Sequence, residues 1–567
     1  MVPGQEPPLT PGVLEDLVSP SLAAHSAPQA FWKHWSRQLL SGHGATVLFS
    51  IVLLLACLVR VGGRGLPILS YGHDLMCTLD GAWRVLNGQH PYIDFYPGFG
   101  PLMHLLSAAG LWFSHYAAQG LAYTTGMVGF VIGLWTYVIA RRGMSPPGAL
   151  LAGWFCALLV LAPFNLGEAF WHLTEAEVYN RYGYALTAIV LIECFGPAAR
   201  RPGKKFAGVS GGVACGLLFF LKPTYFLVSA AIIFWACVMR FHARSRLFAA
   251  SLGFSMVAAC FLLYFRGDPG AILRDMLLQI QARGAGPESA ALLPSTLGGL
   301  FPSMMLTGLA WLVGLGTADE SPGDWRRWIR APYRQLACAG IVAVGGILLL
   351  STNFQKTGFP LTAVFGIVLG DSILVHAQIA TSPANRDRTL FRLAVLLLVA
   401  LAAAPMAVSN AAGLAYGFVK SYRRDPPDTV LFRTEVLKKL RMQGPSSPWN
   451  GPEYATTVND GLDLLGRCSR PDESVFTFDF SNPFSYGLQR RPAPGGSLWL
   501  YYGDNFDDVH KPSPERLLGH ADLVMVPKQP WDPERFRGTW RNYGGFLTRH
   551  FALAAESSRW YMYRRIH

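Results

Sequence analysis

Acidic side chains follow the first long apolar segment of the sequence. That segment, residues 45–61, is long enough to cross a lipid bilayer. Behind it, residues 71–102 carry two histidines, several aromatic residues and three carboxylates, Asp74, Asp80 and Asp94. A carboxylate that meets water at the membrane edge can accept a proton from an attacking hydroxyl or amine. Because ionisable groups there are costly unless they serve a wet cavity, the pattern indicates a functional site.

Asp74 is the leading candidate for that chemistry. It precedes a predicted helix over 76–87, whose apolar residues Leu79, Trp83 and Leu86 recur at spacings of four and three, as on an amphipathic surface helix. An aspartate here could instead be the N-cap of the helix. The sequence leaves both roles open, and the two are compatible.

The other charged residues of this segment have simpler interpretations. Asp80 lies nearly opposite Asp74 in helical angle, so we expect a structural or solvated role for it. Asp94 lies in a tight turn over 91–95, where it would accept backbone N–H bonds or contact substrate. Arg84 is expected to pair with one of these carboxylates or to bind substrate.

Composition predicts a membrane protein with many spans. Hydrophobic residues make up 51% of the 567 residues and charged residues only 15%, well below the share in soluble domains. About eleven apolar segments have the length of a transmembrane helix. They lie near 44–62, 120–140, 148–164, 183–198, 206–221, 224–240, 247–265, 294–316, 335–351, 359–379 and 393–410.

The net charge of +13 is explained by loops rather than by nucleic-acid binding. With a cytoplasmic N-terminus, the basic residues of the short loops fall on one side, as the positive-inside rule requires. No basic, aromatic-interleaved soluble module is present. The basic positions are Lys33, Arg37, Arg141, Arg142, 200–205, 240–246, 326–334 and 386–392.

The predicted organisation has three parts. Residues 1–43 form a disordered cytoplasmic N-terminus, and 44–410 a transmembrane domain with a first external loop over 63–119. Residues 411–567 form a small periplasmic α/β domain. Residues 100–114 are apolar but short for a span, so they are expected to form an external interfacial helix.

A second external loop and two lysines complete the candidate site. The loop offers His172, Glu177, Asn180 and Arg181, whose side chains could bind sugar hydroxyls or phosphate. Its acids would also accept a divalent cation, although no ligand set has a diagnostic spacing. The lysines, Lys222 and Lys356, each follow an apolar segment and could neutralise a phosphate. Snorkelling to lipid head groups is the alternative for both.

The 71–102 segment resembles the first external loop of the GT-C glycosyltransferases. Among these membrane enzymes, it is similar to aminoarabinose transferase and to bacterial enzymes that are like protein O-mannosyltransferase. The resemblance rests on Asp74, on its spacing of 14 residues to Gly88, and on the Pro-Tyr-x-Asp-Phe turn followed by Gly-Pro-Leu. The sequence differs from the family pattern in one respect. Leu75 stands where a Glu often follows the catalytic acid of the family.

The resemblance implies a bacterial inner-membrane enzyme that moves a hexose or pentose from a polyprenyl-phosphate donor to an external acceptor, which is a lipid, a glycan or a protein. It implies that Asp74 is the catalytic carboxylate, and that a lysine in each of two loops binds phosphate. The aromatic rings of Tyr92 and Tyr96 would line the cavity for sugar and prenyl chain.

Two other functions stay open. A transporter or flippase of lipid-linked saccharides would place polar residues near the bilayer midplane, whereas here they gather at one face. A non-catalytic assembly subunit of the cell envelope would act through its external domain. The cysteines add no metal motif, and a disulfide between Cys77 and Cys468 is left open.

Overall fold

The computed structural model describes residues 42–98, 100–196, 208–239, 244–283, 305, 308, 325–352, 359–379, 386–447 and 449–566. Apart from residues 305 and 308, the predicted span 294–316 lies outside the described residues, as do the candidate Lys356 and almost all of the predicted disordered N-terminus. The chain divides into two compact units, Met1–Leu55 and Ala56–His567. In the first unit, residues 42–55 are helical and expose large apolar side chains such as Ile51 and Leu55.

Helices dominate the first 422 residues. They are α1 (Gly42–Val61), α2 (Gly72–Leu86), α3 (Pro101–Phe113), α4 (Gly120–Arg141), α5 (Pro146–Leu161), α6 (Val178–Phe195), α7 (Val209–Leu221), α8 (Pro223–Val238), α9 (Arg244–Tyr264), α10 (Pro269–Arg283), α11 (Trp325–Thr352), α12 (Pro360–Ile379) and α13 (Arg386–Tyr422).

The membrane prediction holds in its coarse form. Five described helices contain stretches long and apolar enough to cross a bilayer: His43–Val61, Gly120–Arg141, Ser245–Tyr264, Gln335–Thr352 and Val399–Tyr422. Five further apolar helices are shorter, so the predicted count of about eleven spans is not confirmed. Helix α13 also continues past the predicted domain boundary at residue 410 and ends at Tyr422.

The C-terminal part is an α/β arrangement with two small sheets. Its helices are α14 (Gly451–Cys468), α15 (Phe484–Gly487), α16 (Pro514–Leu518) and α17 (Pro533–His550). The strands are β1 (Leu66–Ile68), β2 (Val430–Leu431), β3 (Leu440–Met442), β4 (Val475–Thr477), β5 (Leu523–Pro527), β6 (Phe551–Glu556) and β7 (Trp560–Arg565).

One sheet joins the first external loop to the C-terminal part. Its order is β1-β3-β2, and β1 pairs in parallel with β3, Leu66 opposite Leu440. The other sheet has the order β4-β5-β7-β6, with β4 and β5 parallel and the remaining pairs antiparallel. Because β1 comes from the predicted loop 63–119, that loop and the C-terminal residues form one structural part.

Helix α2 is buried rather than laid on a surface, which corrects the prediction for 76–87. Leu75 and Leu79 are fully buried in a core shared with Leu440, Val458 and Leu462. The amphipathic spacing is real, but the C-terminal residues also cover the second face of the helix. At its start, a Cβ on Gly72 would lie 3.2 Å from the end of the Met442 side chain, a close contact that shows how tightly the C-terminal residues pack here.

Helix α2 ends just before a glycine in the left-handed region. Gly88 has φ +80° in the left-handed region, and the backbone N–H of Gln89 bonds the carbonyl of Arg84 at 3.0 Å. This bond from the second residue past the C-cap satisfies a carbonyl that the last helical turn leaves free. The turn that follows carries Asp94.

Candidate active site

Asp74 lies in the first turn of α2, one residue after His73. The N-cap position belongs to Tyr71, whose side chain makes no capping hydrogen bond, and the backbone N–H of Gly72 bonds Asn450 Oδ1 at 3.3 Å instead. The capping role proposed for Asp74 is therefore not the one the structure shows. Its side chain is 26% exposed, so solvent or a ligand can reach it. Burial of the carboxylate raises the pKa of Asp74 to about 7.

His73 stands beside this carboxylate. Its Nε2 lies 3.5 Å from Asp74 Oδ1, and its Nδ1 lies 3.1 Å from the carbonyl oxygen of Trp449. Because a carbonyl only accepts, Nδ1 carries the ring proton, and Nε2 faces Asp74 as an acceptor. Burial lowers the pKa of His73 to about 4, so the imidazole is neutral at pH 7. It can accept a hydrogen bond from Asp74 once that carboxyl holds a proton.

A second group of polar side chains surrounds the start of α6. The amide nitrogen of Asn180 donates to Glu177 Oε2 at 3.2 Å, and the Asn180 carbonyl oxygen accepts from Lys222 Nζ and from the Tyr225 hydroxyl, both at 3.4 Å. Lys222 Nζ also lies 4.9 Å from the ring centre of Tyr179. These contacts hold the ammonium group of Lys222 near the carboxylate of Glu177.

The two groups act on each other electrostatically. The pKa of Glu177 is raised to about 7, first by burial and then by the charge of Asp74, while Lys222 opposes the shift. Glu168 contributes a further negative charge and accepts a hydrogen bond of 2.7 Å from the hydroxyl of Tyr71. We call Asp74, Glu168, Glu177, Asn180 and Lys222 the carboxylate–lysine cluster.

Local backbone geometry places these residues. Tyr71 and Glu177 begin α2 and α6 in the left-handed region, with φ of 55° and 52°. Residues other than glycine, asparagine and aspartate seldom adopt this backbone conformation. The strain costs about 1–3 kcal/mol per residue, and strained residues of this kind concentrate at functional sites. Lys222 is extended, with φ −163°, between α7 and α8, where Pro223 begins the second helix as the Lys-Pro pair predicts.

Several predicted site residues lie elsewhere. Arg84 is fully buried and donates to Asp80 Oδ2 at 3.0 Å and to the carbonyls of Ala493 and Gly495. It thus fastens α2 to the C-terminal part, and Asp80 has the structural role expected of it. Asp94 accepts the backbone N–H of His90 at 2.6 Å, the turn-fixing role that the sequence left open.

The predicted aromatic walls are buried in the protein. Tyr92 packs edge-on against Phe265, and the Tyr96 hydroxyl donates to the Asn505 carbonyl at 2.9 Å. The carbonyl of Tyr92 accepts from Arg516. Their exposed fractions of 6% and 2% leave little ring surface for a ligand.

In the second loop, Arg181 and His172 are separate from the cluster. Arg181 is buried and donates to the carbonyls of Phe164 and Leu159 and to the side chain of Asn410. His172 is exposed. Within the described ranges, no group of three His, Cys, Asp or Glu residues is placed to hold a metal ion. Cys77 and Cys468 are both free thiols.

Sequence reasoning missed Tyr71, which lies beside this cluster. Tyr71 shows no motif, and its contact with Glu168 joins residues 97 positions apart. A small pocket also lies next to the buried ion pair of Arg60 and Glu175 and is lined by Gln119. It is distinct from the carboxylate–lysine cluster.

No protein-family profile and no curated protein sequence matches this chain. Among solved structures, the chain is similar to ArnT from Cupriavidus metallidurans in the apo state, with a TM-score of 0.42, 13% identity, and coverage of 93% of this chain and 98% of that one. It is also similar to the Archaeoglobus fulgidus oligosaccharyltransferase in complex with Zn and sulfate, with a TM-score of 0.35, 12% identity, and coverage of 90% and 72%.

Proposed function

We propose that this chain is a glycosyltransferase of the bacterial inner membrane, which moves a sugar from a polyprenyl-phosphate donor to an acceptor outside the cytoplasm. The observation that carries the proposal is that a reachable carboxylate, Asp74, and an ammonium group, Lys222, both lie close enough to Glu177 to act on its charge. A base for the acceptor and a cation for the departing phosphate are the two groups that this transfer needs.

The reaction balances with these groups alone. The acceptor oxygen attacks the anomeric carbon of the donor, and the bond from that carbon to the phosphate oxygen breaks. Polyprenyl phosphate leaves with the electron pair, and Lys222 offsets the negative charge that develops on it. The proton of the acceptor hydroxyl passes to Asp74 and from there to solvent. Nitrogen acceptors would follow the same course.

The raised pKa values suit these roles. Because the pKa of Asp74 is about 7, about half of the molecules carry it as a base at neutral pH, and it then holds the proton strongly enough to assist the attack. Asn180, bonded to both Glu177 and Lys222, keeps the lysine beside the acids. Glu177 and Glu168 add negative charge, which favours a cationic lysine at this position.

The test is release of sugar from the donor without any acceptor. The full chain, purified in lipid nanodiscs, is incubated with polyprenyl-phosphate hexoses and pentoses that are labelled in the sugar. The wild type should release labelled sugar to water, and Lys222→Met should slow release by on the order of 10²-fold or more, as when a preorganised charge-stabilising group is lost.

Lys528→Met is the matched control, because Lys528 pairs with Glu556 on the surface of the C-terminal part. It should release sugar at the wild-type rate. The proposal fails if the wild type releases none of the labelled sugars, or if Lys222→Met and Lys528→Met behave alike.

A further inference from the structure

Five aromatic rings cluster beside the candidate active site. Phe480 lies 5.0 Å from Trp531, 5.5 Å from Tyr501 and 5.9 Å from Trp499, measured between ring centroids. Trp499 and Tyr501 stack at 5.4 Å, and Trp449 lies 6.3 Å from Trp531. We call these five residues the aromatic platform.

Four of the five platform residues are partly or largely exposed, and the fifth supports them from below. Phe480 is buried, with 7% of its surface exposed, whereas Trp449 is 38% exposed and Trp499, Tyr501 and Trp531 are partly exposed. Neither hydrophobic core cluster of the C-terminal part contains any of the five, whereas Leu500, between Trp499 and Tyr501, belongs to one. Leu500 thus packs into the core, and the stacked rings of Trp499 and Tyr501 lie outside it.

His73 connects this surface to Asp74. Its ring lies 4.6 Å from Phe480 and 5.3 Å from Trp531, while its Nε2 faces the Asp74 carboxylate at 3.5 Å. The platform thus begins one side chain away from the candidate base. Lys222 belongs to the other neighbourhood of Asp74, with Glu177 and Asn180.

Polar groups border the rings. The guanidinium carbon of Arg535 lies 3.8 Å from the ring centre of Tyr501. The Asp479 carboxylate is held by hydrogen bonds from the backbone of Phe480 and Trp531. The indole N–H of Trp499 is buried without a hydrogen-bond partner in the part of the chain that the structure describes. A buried polar group of this kind is rare, and an oxygen atom from a bound ligand would satisfy it.

This combination fits a saccharide. The C–H face of a pyranose packs on aromatic rings, and its hydroxyls need both donors and acceptors at the edge, as Arg535 and Asp479 supply. Rings that only anchored a membrane would sit with their polar tips in the head groups and would need no carboxylate among them. A peptide acceptor would call for backbone hydrogen-bonding groups, which ring faces do not offer.

We propose that the aromatic platform binds the acceptor of this enzyme, and that the acceptor is a glycan or the saccharide part of a glycolipid. The inference rests on the proposed function, since it assigns the second substrate of that reaction. The donor phosphate would lie at Lys222, the acceptor saccharide on the platform, and Asp74 between them to accept the proton of the attacking hydroxyl.

The experiment measures saccharide binding without any donor. Tryptophan fluorescence of the full chain in nanodiscs is titrated with hexasaccharides of glucose, mannose and N-acetylglucosamine. At least one should bind, and Trp531→Leu and Tyr501→Leu should each weaken its binding about tenfold, the order of one lost aromatic contact. Trp540→Leu is the control. Trp540 lies on α17, and its ring packs against Phe478 and Phe536 rather than against the platform.

Each outcome bears on one of the two proposals. Trp540→Leu should keep both saccharide binding and donor hydrolysis at the wild-type level, because Trp540 packs against Phe478 and Phe536. If no hexasaccharide binds, or if Trp531→Leu binds like Trp540→Leu, the platform is not a saccharide site, although donor hydrolysis could still be observed. Saccharide binding with no donor hydrolysis would instead contradict the proposed function.

Discussion

At the scale of single residues, Asp74 offers the sharpest test. Asp74→Asn should lower transferase turnover by a factor of about 10²–10⁴, the range for a lost general base. Folding should be intact, because Tyr71 holds the N-cap position and Asp74 makes no capping bond. The rate of sugar transfer by the purified variant measures its turnover, and its thermal unfolding curve measures its folding. Asp472→Asn, an exposed carboxylate, is the control, and retention of more than about half the activity by Asp74→Asn would exclude it as the base.

The raised pKa of Asp74 predicts a pH dependence. The kcat/KM should rise with pH through about 7, as Asp74 loses its proton and becomes a base. The titratable groups near Asp74 are His73, Glu177, Tyr71, Cys77 and Tyr454. Glu177→Gln removes a negative neighbour and should move the midpoint to lower pH. Rates measured from about pH 5 to about pH 9 would show it, and an unmoved midpoint would mean that the two acids are uncoupled.

The stability of the folded chain should also depend on the protonation of Asp74, but it should fall as the pH rises, whereas kcat/KM should increase. The pKa of Asp74 in the folded chain is about 7, above its usual value of 3.8, so folding takes up a proton between these two values. The free energy of unfolding therefore declines as pH rises through that window, and the loss is complete above about 7. Asp74→Asn should remove this part of the decline, which is seen by comparing melting temperatures of the two proteins at low and high pH.

The sequence predicted the residues of the site better than their assembly. Asp74, Glu177, Asn180 and Lys222 were each singled out by type and position, and the structure brings them together. Arg84 and Arg181 were singled out on the same grounds, yet each is tied to backbone carbonyls inside the protein. Residue type gives the chemistry that a side chain could do, but only long-range packing decides whether a ligand can reach it.

At the scale of elements, the sequence predicted helix boundaries well where nearby residues determine the backbone conformation. The predicted boundary between the spans 206–221 and 224–240 matches the break at Lys222, and the predicted helix 76–87 ends within one residue of the end of α2. The burial of α2 could not be read from its amphipathic spacing, because its second face is covered by residues over 360 positions away. For the same reason the parallel pairing of β1 with β3 had no local signal.

A buried ion pair gives the element-scale prediction. Arg60, at the end of α1, pairs with Glu175 in the loop before α6, with side chains only 6% and 3% exposed. Glu175→Gln would leave the Arg60 charge buried without its partner, which costs roughly 3–5 kcal/mol. The melting temperature of the purified variant should fall accordingly. Glu435→Gln, which breaks the exposed pair with Lys438, should change it little. Equal melting temperatures for the two variants would show that the Arg60 pair is solvated.

At the scale of the whole molecule, the charge distribution predicts orientation. If the basic loops are cytoplasmic, reporter fusions at Arg142 and Lys204 should read inside, and a fusion at Asn505 outside. The carboxylate–lysine cluster and the aromatic platform would then face the donor head groups on the outer side. An outside reading at Arg142 would reverse every later loop and would also make 100–114 a span.

The C-terminal part should not fold without the first external loop. A single hydrophobic core contains Leu66, Leu75 and Leu79 from the loop together with Leu440 and Leu462, and β1 completes the sheet of β2 and β3. A fragment of residues 423–567 would expose that apolar surface and lose the edge partner of β3, so it should aggregate or unfold without cooperativity. Joining residues 63–119 to it through a flexible linker should restore a sharp thermal transition. Cooperative unfolding of 423–567 alone would show that the C-terminal residues are an independent domain, and that the loop carrying Asp74 is merely docked on it.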